Sequence, residues 1–416
     1  MDKLALFGGT KVRSTPFTPW PQFDDRERKY VMDALESRRW GGYPFPSPRA
    51  LEFGRRFAEY HGARYGIPAA NGTVTLEIAL RAAGIKAGDE VIVPCYTFMA
   101  TASCAVHLNA VPVFTDVEAR SWCMDPAGVE AAITPKTKAI IPVHLGHQMT
   151  DMDRILEIAK RHGLVVIEDC AHSHGGQWRG KGVGSMGDFG SFSFQSSKLM
   201  TSGEGGAILC NDDTYRAKVM SLVNCGRKEP GYDGFDEQLF GWNFRLSELQ
   251  IAVLMGQMDR LDEVTRKRAE MLAYFRETLH ANVAGLRVLD TDPRVTRQHA
   301  YQTLMRFDSA AFAGIHRDRF LQALEAEGVD LDGTFYVPLY QIPIFNARSD
   351  EWPALRERYG EGILEGGRSI SCPVAEKAAY EEAVWMHYPH LSGSRADVDD
   401  IVTAIAKVQR HAAELA

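Results

Sequence analysis

From about residue 70 the chain alternates between two hydrophobic rhythms. Short apolar runs at 90–93 (EVIV), 111–115 (VPVFT), 138–143 (KAIIPV) and 164–168 (LVVIE) end at proline, aspartate or histidine, as buried strands do. Between them, residues 75–83, 98–108 and 151–162 carry apolar positions at helical spacing. Residues 191–195 (SFSFQ) and 206–210 (GAILC) add two more strand candidates. Strands separated by helices imply crossover connections, and so a largely parallel sheet covered on both faces.

After Asn211 the pattern turns mostly helical. Residues 246–274 contain a long amphipathic helix that reads as a bridge to a second region. That region has a strand at 301–307, a helix at 317–327 and a closing helix at 396–414. The fold class is therefore α/β, expected as an N-terminal arm (1–20), a large α/β domain (21–265) and a smaller C-terminal α+β domain (266–416). A chain of 416 residues has the length for such a division.

Composition narrows the function classes. Hydrophobic residues at 45% and charged residues at 24% exclude wholesale disorder. A net charge of −7 argues against a general nucleic-acid or anionic-membrane surface. The seven cysteines are scattered with no CxxC pair, which fits reduced thiols. No apolar run has the length of a signal peptide or a membrane span, so a cytoplasmic protein is expected.

Three constellations compete to carry chemistry. Gly182-Val-Gly-Ser-Met-Gly187 satisfies GxGxxG, but a dinucleotide fingerprint follows a strand and opens a helix. Here a loop precedes it and a strand follows, so a glycine-rich turn is the better reading. His144, His147, Asp151, Asp153, Asp169, His172 and His174 hold metal-ligand chemistry, yet lack HExxH or cysteine spacing, and no metal site is expected. The third constellation is Asp169 and Lys198, each beside a strand terminus, where open α/β sheets bind ligands.

A lysine at an apolar sheet edge is a nucleophile toward a carbonyl. With an acid it is what pyridoxal phosphate needs: the amine forms the Schiff base and the acid keeps the pyridine nitrogen protonated. The two residues by themselves read equally as an ion pair. Asn71-Gly72-Thr73 before a helix offers N–H groups to a phosphate, or simply an N-cap by Thr73. Ser193 adds a hydroxyl, and Phe98 is either a stacking ring or core.

In chain order, NGTVTLEIALRAAGIKAGDEVIVPCYTFMAT, VPVFTDV, VIEDCAHSHGGQWRGKGVGSMGDFGSFSFQSSKLMTSGEGGAILCN and GWNFRLSELQIAVLMGQMDRL resemble the DegT/DnrJ/EryC1/StrS aminotransferases. The resemblance covers most of residues 15–270 and continues more loosely through FYVPLYQIPIF and CPVAEKAAYEEAVWMHYP. It implies fold type I and pyridoxal 5'-phosphate as cofactor. Lys198 becomes the lysine joined to the cofactor, Asp169 the partner of the ring nitrogen, His172 a group beside the ring and Phe98 the stacking aromatic. Gly72, Thr73 and Ser193 match phosphate-cradle positions. Asn243 matches an asparagine that reaches the phosphate from the neighbouring subunit, which implies a homodimer with shared sites. Family members that replace the lysine by histidine dehydrate instead, so Lys198 favours transamination.

The resemblance implies glutamine or glutamate as donor and a small keto compound as acceptor. A scyllo-inosose-type ketocyclitol comes first, a nucleotide-linked ketosugar second and 3-amino-5-hydroxybenzoate formation third. Tyr336, His299 and Trp385 are candidates for the acceptor pocket, or for packing and rim. A metal-dependent hydrolase and a catalytically silent sensor are the readings from other classes.

Overall fold

The computed structural model describes residues 3–41, 45–229, 234–346, 352–359 and 370–416. Its first half contains α1 (Asp25–Ser37), α2 (Pro48–His61), β1 (Tyr65–Ala69), α3 (Gly72–Ala82), β2 (Glu90–Pro94), α4 (Ala100–Val106), β3 (Val111–Thr115), α5 (Pro126–Ala132), β4 (Thr137–Ile140), α6 (Met152–His162) and β5 (Val165–Asp169). Next come β6 (Gln177–Trp178), β7 (Lys181–Gly182), β8 (Phe189–Ser193), β9 (Gly206–Cys210), α7 (Asp213–Val223) and α8 (Glu248–Asn282). The remainder holds β10 (Leu286–Val288), β11 (Val295–Arg297), β12 (Gln302–Phe307), α9 (Arg317–Ala326), α10 (Pro353–Tyr359), α11 (Pro373–Lys377), β13 (Ala383–His387) and α12 (Arg395–Arg410).

Seven strands form the central sheet in the order β1-β9-β8-β5-β4-β2-β3. β8, β5, β4, β2 and β3 pair in parallel, and β9 runs against both of its neighbours. β2, β3, β8 and β9 are buried along their whole length, and in β2, β3 and β9 this is why the sequence reads as a continuous apolar run rather than an alternation.

Several boundaries differ from the sequence expectation for local reasons. The helix expected from 98 begins at Ala100, leaving Phe98 in the turn before it. The helix expected at 75 begins at Gly72, because Asn71 and not Thr73 is the cap: its side chain accepts from the Val74 N–H at 3.0 Å. β8 starts at Phe189 and ends at Ser193, since Phe189, Gly190 and Ser191 pair with Ile167, Glu168 and Asp169. The long helix runs eight residues past the expected end, with no glycine or proline between Tyr274 and Asn282 to stop it.

The main hydrophobic core lies between this sheet and its helices. A second cluster joins Met271, Leu272, Phe275 and Leu279 of α8 to β10, β12, α9 and α12. The start of the chain packs there: Leu4 is part of that cluster, and the Ala5 and Val12 N–H groups donate to the buried Glu327 carboxylate. β10, β12 and β13 form an antiparallel sheet, and β11, β6 and β7 a small third one. No helix among the described residues is long and apolar enough to cross a membrane.

Candidate active site

The carboxyl ends of β5 and β8 and the N-terminus of α3 meet at one edge of the central sheet, where a cavity of about 960 Å³ opens. Gly72, Thr73, Phe98, Asp169, His172, Ser193 and Lys198 all line it. Residues up to 126 positions apart in sequence are thus brought together by the parallel sheet.

Asp169 is the last residue of β5 and is buried. One carboxylate oxygen accepts from the Ala171 N–H at 3.1 Å, the other from the Thr101 hydroxyl at 2.9 Å. Burial pushes its pKa up from the ordinary 3.8, and those two bonds and the charge of Lys198 recover only part of the loss. A carboxylate in that state gains from a cation placed against it. Thr101 left no motif; α4 simply carries it over the end of β5.

Lys198 sits in the loop after β8, its ammonium 4.8 Å from the centre of the Tyr301 ring. Tyr301 in turn stacks on His172 with ring centres 4.2 Å apart, and its hydroxyl lies 3.0 Å from the Ser197 hydroxyl. Burial, reinforced by the Lys198 charge, holds the His172 pKa well below its ordinary value, so the imidazole is neutral.

At the other end of the cavity the first turn of α3 packs on the end of β8. A Cβ on Gly72 would lie 2.5 Å from Cβ of Ser193, so only glycine fits there. Asn71 caps the Val74 N–H, and the N–H groups of Gly72 and Thr73 have no acceptor among the described residues. With the Ser193 hydroxyl, these are neutral donors at the positive end of a helix, a cradle for an anion. Phe98, 48% exposed, presents its ring at the cavity.

Not every candidate converges. Asn243 is exposed and outside this cavity, on a segment whose neighbour Phe244 accepts from the Ala70 N–H at 2.8 Å. Tyr336 lines the cavity, but Trp385 and His299 are fully buried behind it. Trp385 donates to the Tyr96 hydroxyl at 3.3 Å, and His299 packs against Gly176.

Apart from Asp169 and His172, the histidine and carboxylate set bonds elsewhere, His144 lying 3.2 Å from the Glu168 carboxylate. His147 bonds the Leu289 carbonyl and the Leu304 N–H, and His174 the Ser193 carbonyl. Asp151 and Asp153 pair with Arg294. The GxGxxG turn also finds its anion within the chain. The N–H groups of Gly184, Met186 and Gly187 donate to the buried Glu168 carboxylate at 2.9, 2.8 and 2.8 Å.

Residues 21–406 match the DegT/DnrJ/EryC1/StrS aminotransferase family. The chain belongs to this family. It is a pyridoxal-phosphate-dependent aminotransferase of α/β architecture.

The chain is 51% identical, over 99% of its length and 98% of the relative's, to a Streptoalloteichus tenebrarius protein provisionally named L-glutamine:3-amino-2,3-dideoxy-scyllo-inosose aminotransferase. It is 40% identical, across 99% of both chains, to the L-glutamine:2-deoxy-scyllo-inosose aminotransferase of the same organism. Among solved structures, 3-amino-5-hydroxybenzoic acid synthase superposes with a TM-score of 0.81 at 32% identity, covering 95% of this chain and 99% of the other.

The cavity fits the cofactor in three independent ways: an anion cradle that a Cβ would fill at Gly72, an under-compensated buried carboxylate at Asp169, and an amine at Lys198 on the same wall.

Proposed function

We propose that this aminotransferase moves an amino group from glutamine, or glutamate, to a keto-cyclitol of the scyllo-inosose type, in aminocyclitol biosynthesis. The observation that carries the reading is the charge of the cavity. Lys198 is the only cation among its described lining residues, against the carboxylates of Asp169 and Glu204. A nucleotide-linked ketosugar brings a pyrophosphate, which asks for arginine or lysine. A compact cyclitol asks for hydroxyl-binding and flat apolar groups, and Thr334, Phe335 and Tyr336 are of that kind.

Glu204 has no cationic partner among the described residues, which suits an acceptor that already carries an amine. The higher identity to relatives named for the 3-amino-2,3-dideoxy compound points the same way.

Gly72, Thr73 and Ser193 would hold the cofactor phosphate, Phe98 and His172 would contact the ring, and Asp169 would keep the proton on the ring nitrogen. When bound, the cofactor supplies an electron sink for the carbon that loses a proton. Nζ of Lys198 takes the proton from the donor's α-carbon and later returns one to the acceptor carbon, as a positioned base and acid. A cationic ring there would keep Asp169 ionised and offset its desolvation. Asn243 acts on the cradle of the neighbouring subunit, so the working unit is a homodimer. Phe240 and Trp242 support that surface, being 89% and 65% exposed beside it.

The test is a panel of acceptors given to purified protein with cofactor and glutamine: 2-deoxy-scyllo-inosose, its 3-amino-2,3-dideoxy counterpart and a nucleotide-linked ketosugar. Turnover of a cyclitol, read as the amine product by mass spectrometry, is expected. Robust turnover of the nucleotide sugar with none of either cyclitol would reverse the assignment.

A further inference from the structure

A buried backbone N–H and two side chains of the cavity wall form a hydrogen-bonded chain whose proton positions are set by its first member. The Gly146 N–H donates to Nδ1 of His172 at 3.3 Å. A ring nitrogen that accepts carries no proton, so the neutral imidazole bears its proton on Nε2. Nε2 lies 3.3 Å from the Tyr336 hydroxyl oxygen. That oxygen therefore accepts from His172, and the phenol's own proton has no acceptor among the described residues.

Each member of the chain is held in place. Gly146 has φ +61, and a Cβ there would lie 2.7 Å from Cγ of Leu304. His172 is stacked on one side by Tyr301 and lies within 4° of parallel to the Tyr336 ring. Tyr336 also packs edge-on to Tyr96 and Trp385, which fixes its ring in the cavity wall. Desolvation keeps the phenol protonated at any working pH, since it raises its pKa well above 10. The protein thus presents a neutral, pre-oriented O–H to the cavity.

We propose that Tyr336 is a specificity-determining donor for the acceptor, giving its O–H to a hydroxyl or carbonyl oxygen of the polyhydroxylated keto ring. The proposal rests on the cyclitol reading above. A neutral donor with a fixed direction discriminates by the presence and position of an oxygen, because an acceptor lacking it leaves a buried O–H unpaired.

Tyr336→Phe deletes the donor, and with it the oxygen that accepts from His172, and keeps the ring. Two measurements on the holoenzyme separate its role from packing. The first is the donor half-reaction: the change in cofactor absorbance when glutamine is added without acceptor. The second is calorimetric binding of 2-deoxy-scyllo-inosose to donor-free holoenzyme, where no amino group is available for transfer.

Tyr336→Phe is expected to keep the donor half-reaction within about twofold and to bind the cyclitol about tenfold more weakly. An unchanged cyclitol affinity overturns the proposal. So does a donor half-reaction that falls as far as cyclitol binding, because Tyr336 would then serve the cofactor or the lysine. If wild-type enzyme binds a nucleotide-linked ketosugar and no cyclitol, the functional reading fails instead. The same comparison with that sugar then decides Tyr336 by the same two outcomes.

Discussion

Gly72→Ala tests the anion cradle where the structure makes its tightest demand. The added Cβ would stand 2.5 Å from Cβ and 2.9 Å from Cα of Ser193, against about 3.5–4.0 Å for comfortable carbon contact. The first turn of α3 and the end of β8 must therefore part by about 1 Å, and neither is a flexible side-chain tip. A shift of that size spoils the aim of the Gly72 and Thr73 N–H groups at a bound phosphate. Hydrogen bonds to a charged group contribute about 1.5–3 kcal/mol each, so losing one weakens cofactor binding roughly 10- to 10²-fold. Alanine is the better helix former by about 1 kcal/mol, which offsets part of an overpacking cost of about 1–3 kcal/mol. The apoenzyme should thus melt within a few degrees of wild type while the cofactor is lost. The assay is absorbance titration of apoenzyme with pyridoxal phosphate, beside thermal denaturation of the same samples. A dissociation constant within twofold of wild type, with unchanged melting, would show that the cofactor phosphate sits elsewhere.

Glu168→Gln should destabilise the fold by about 3 kcal/mol or more in urea denaturation, because three N–H groups aimed at a buried carboxylate would meet a neutral amide; a loss below about 1 kcal/mol would mean that the glycine-rich turn is held by something else. Burial lowers the pKa of His61 and His147 to about 4 and that of His174 to about 3, so the folded chain refuses protons that the unfolded chain takes up below 6.5. Stability is then full above pH 6.5 and falls as the pH drops toward 4, by up to about 1.4 kcal/mol per pH unit for each histidine. Urea midpoints that stay flat between pH 7 and 5 would contradict this. Lys198→Ala and Asn243→Ala are each expected to be inactive alone and to recover activity when mixed and reassembled, since one site of the mixed dimer has both residues; no recovery would remove Asn243 from the neighbour's site.

The parts of the fold that were legible in the sequence are those buried on both sides. EVIV, VPVFT and GAILC sit in β2, β3 and β9, where no face meets water to interrupt the run. β1 was not legible, because YGIPA holds a glycine and a proline and owes its extension to pairing with β9. α2 was hidden by its charges: Phe53 and Phe57 are buried, but three arginines and two glutamates lie between Pro48 and His61. β6 and β7, at two residues each, are too short to carry a period.

Apart from Tyr336, the cavity-lining residues named from sequence are those in motifs that turn at a strand end. Thr101, Tyr301 and the Gly146 N–H act through long-range packing, at 68 residues from Asp169, 103 from Lys198 and 26 from His172, and no local pattern marks them. For Trp385 and His299, which the sequence left open between pocket and packing, β13 and the segment before β12 place the side chains wholly inside the core.

The central claim is that Lys198 is the residue to which the cofactor attaches. Borohydride reduction of the holoenzyme makes that attachment permanent, and peptide mapping then locates it. The expected result is the cofactor's mass on the peptide containing Lys198, absent from Lys198→Ala treated in the same way. Attachment at another lysine, or no attachment in wild type that still transfers amino groups, would contradict the account.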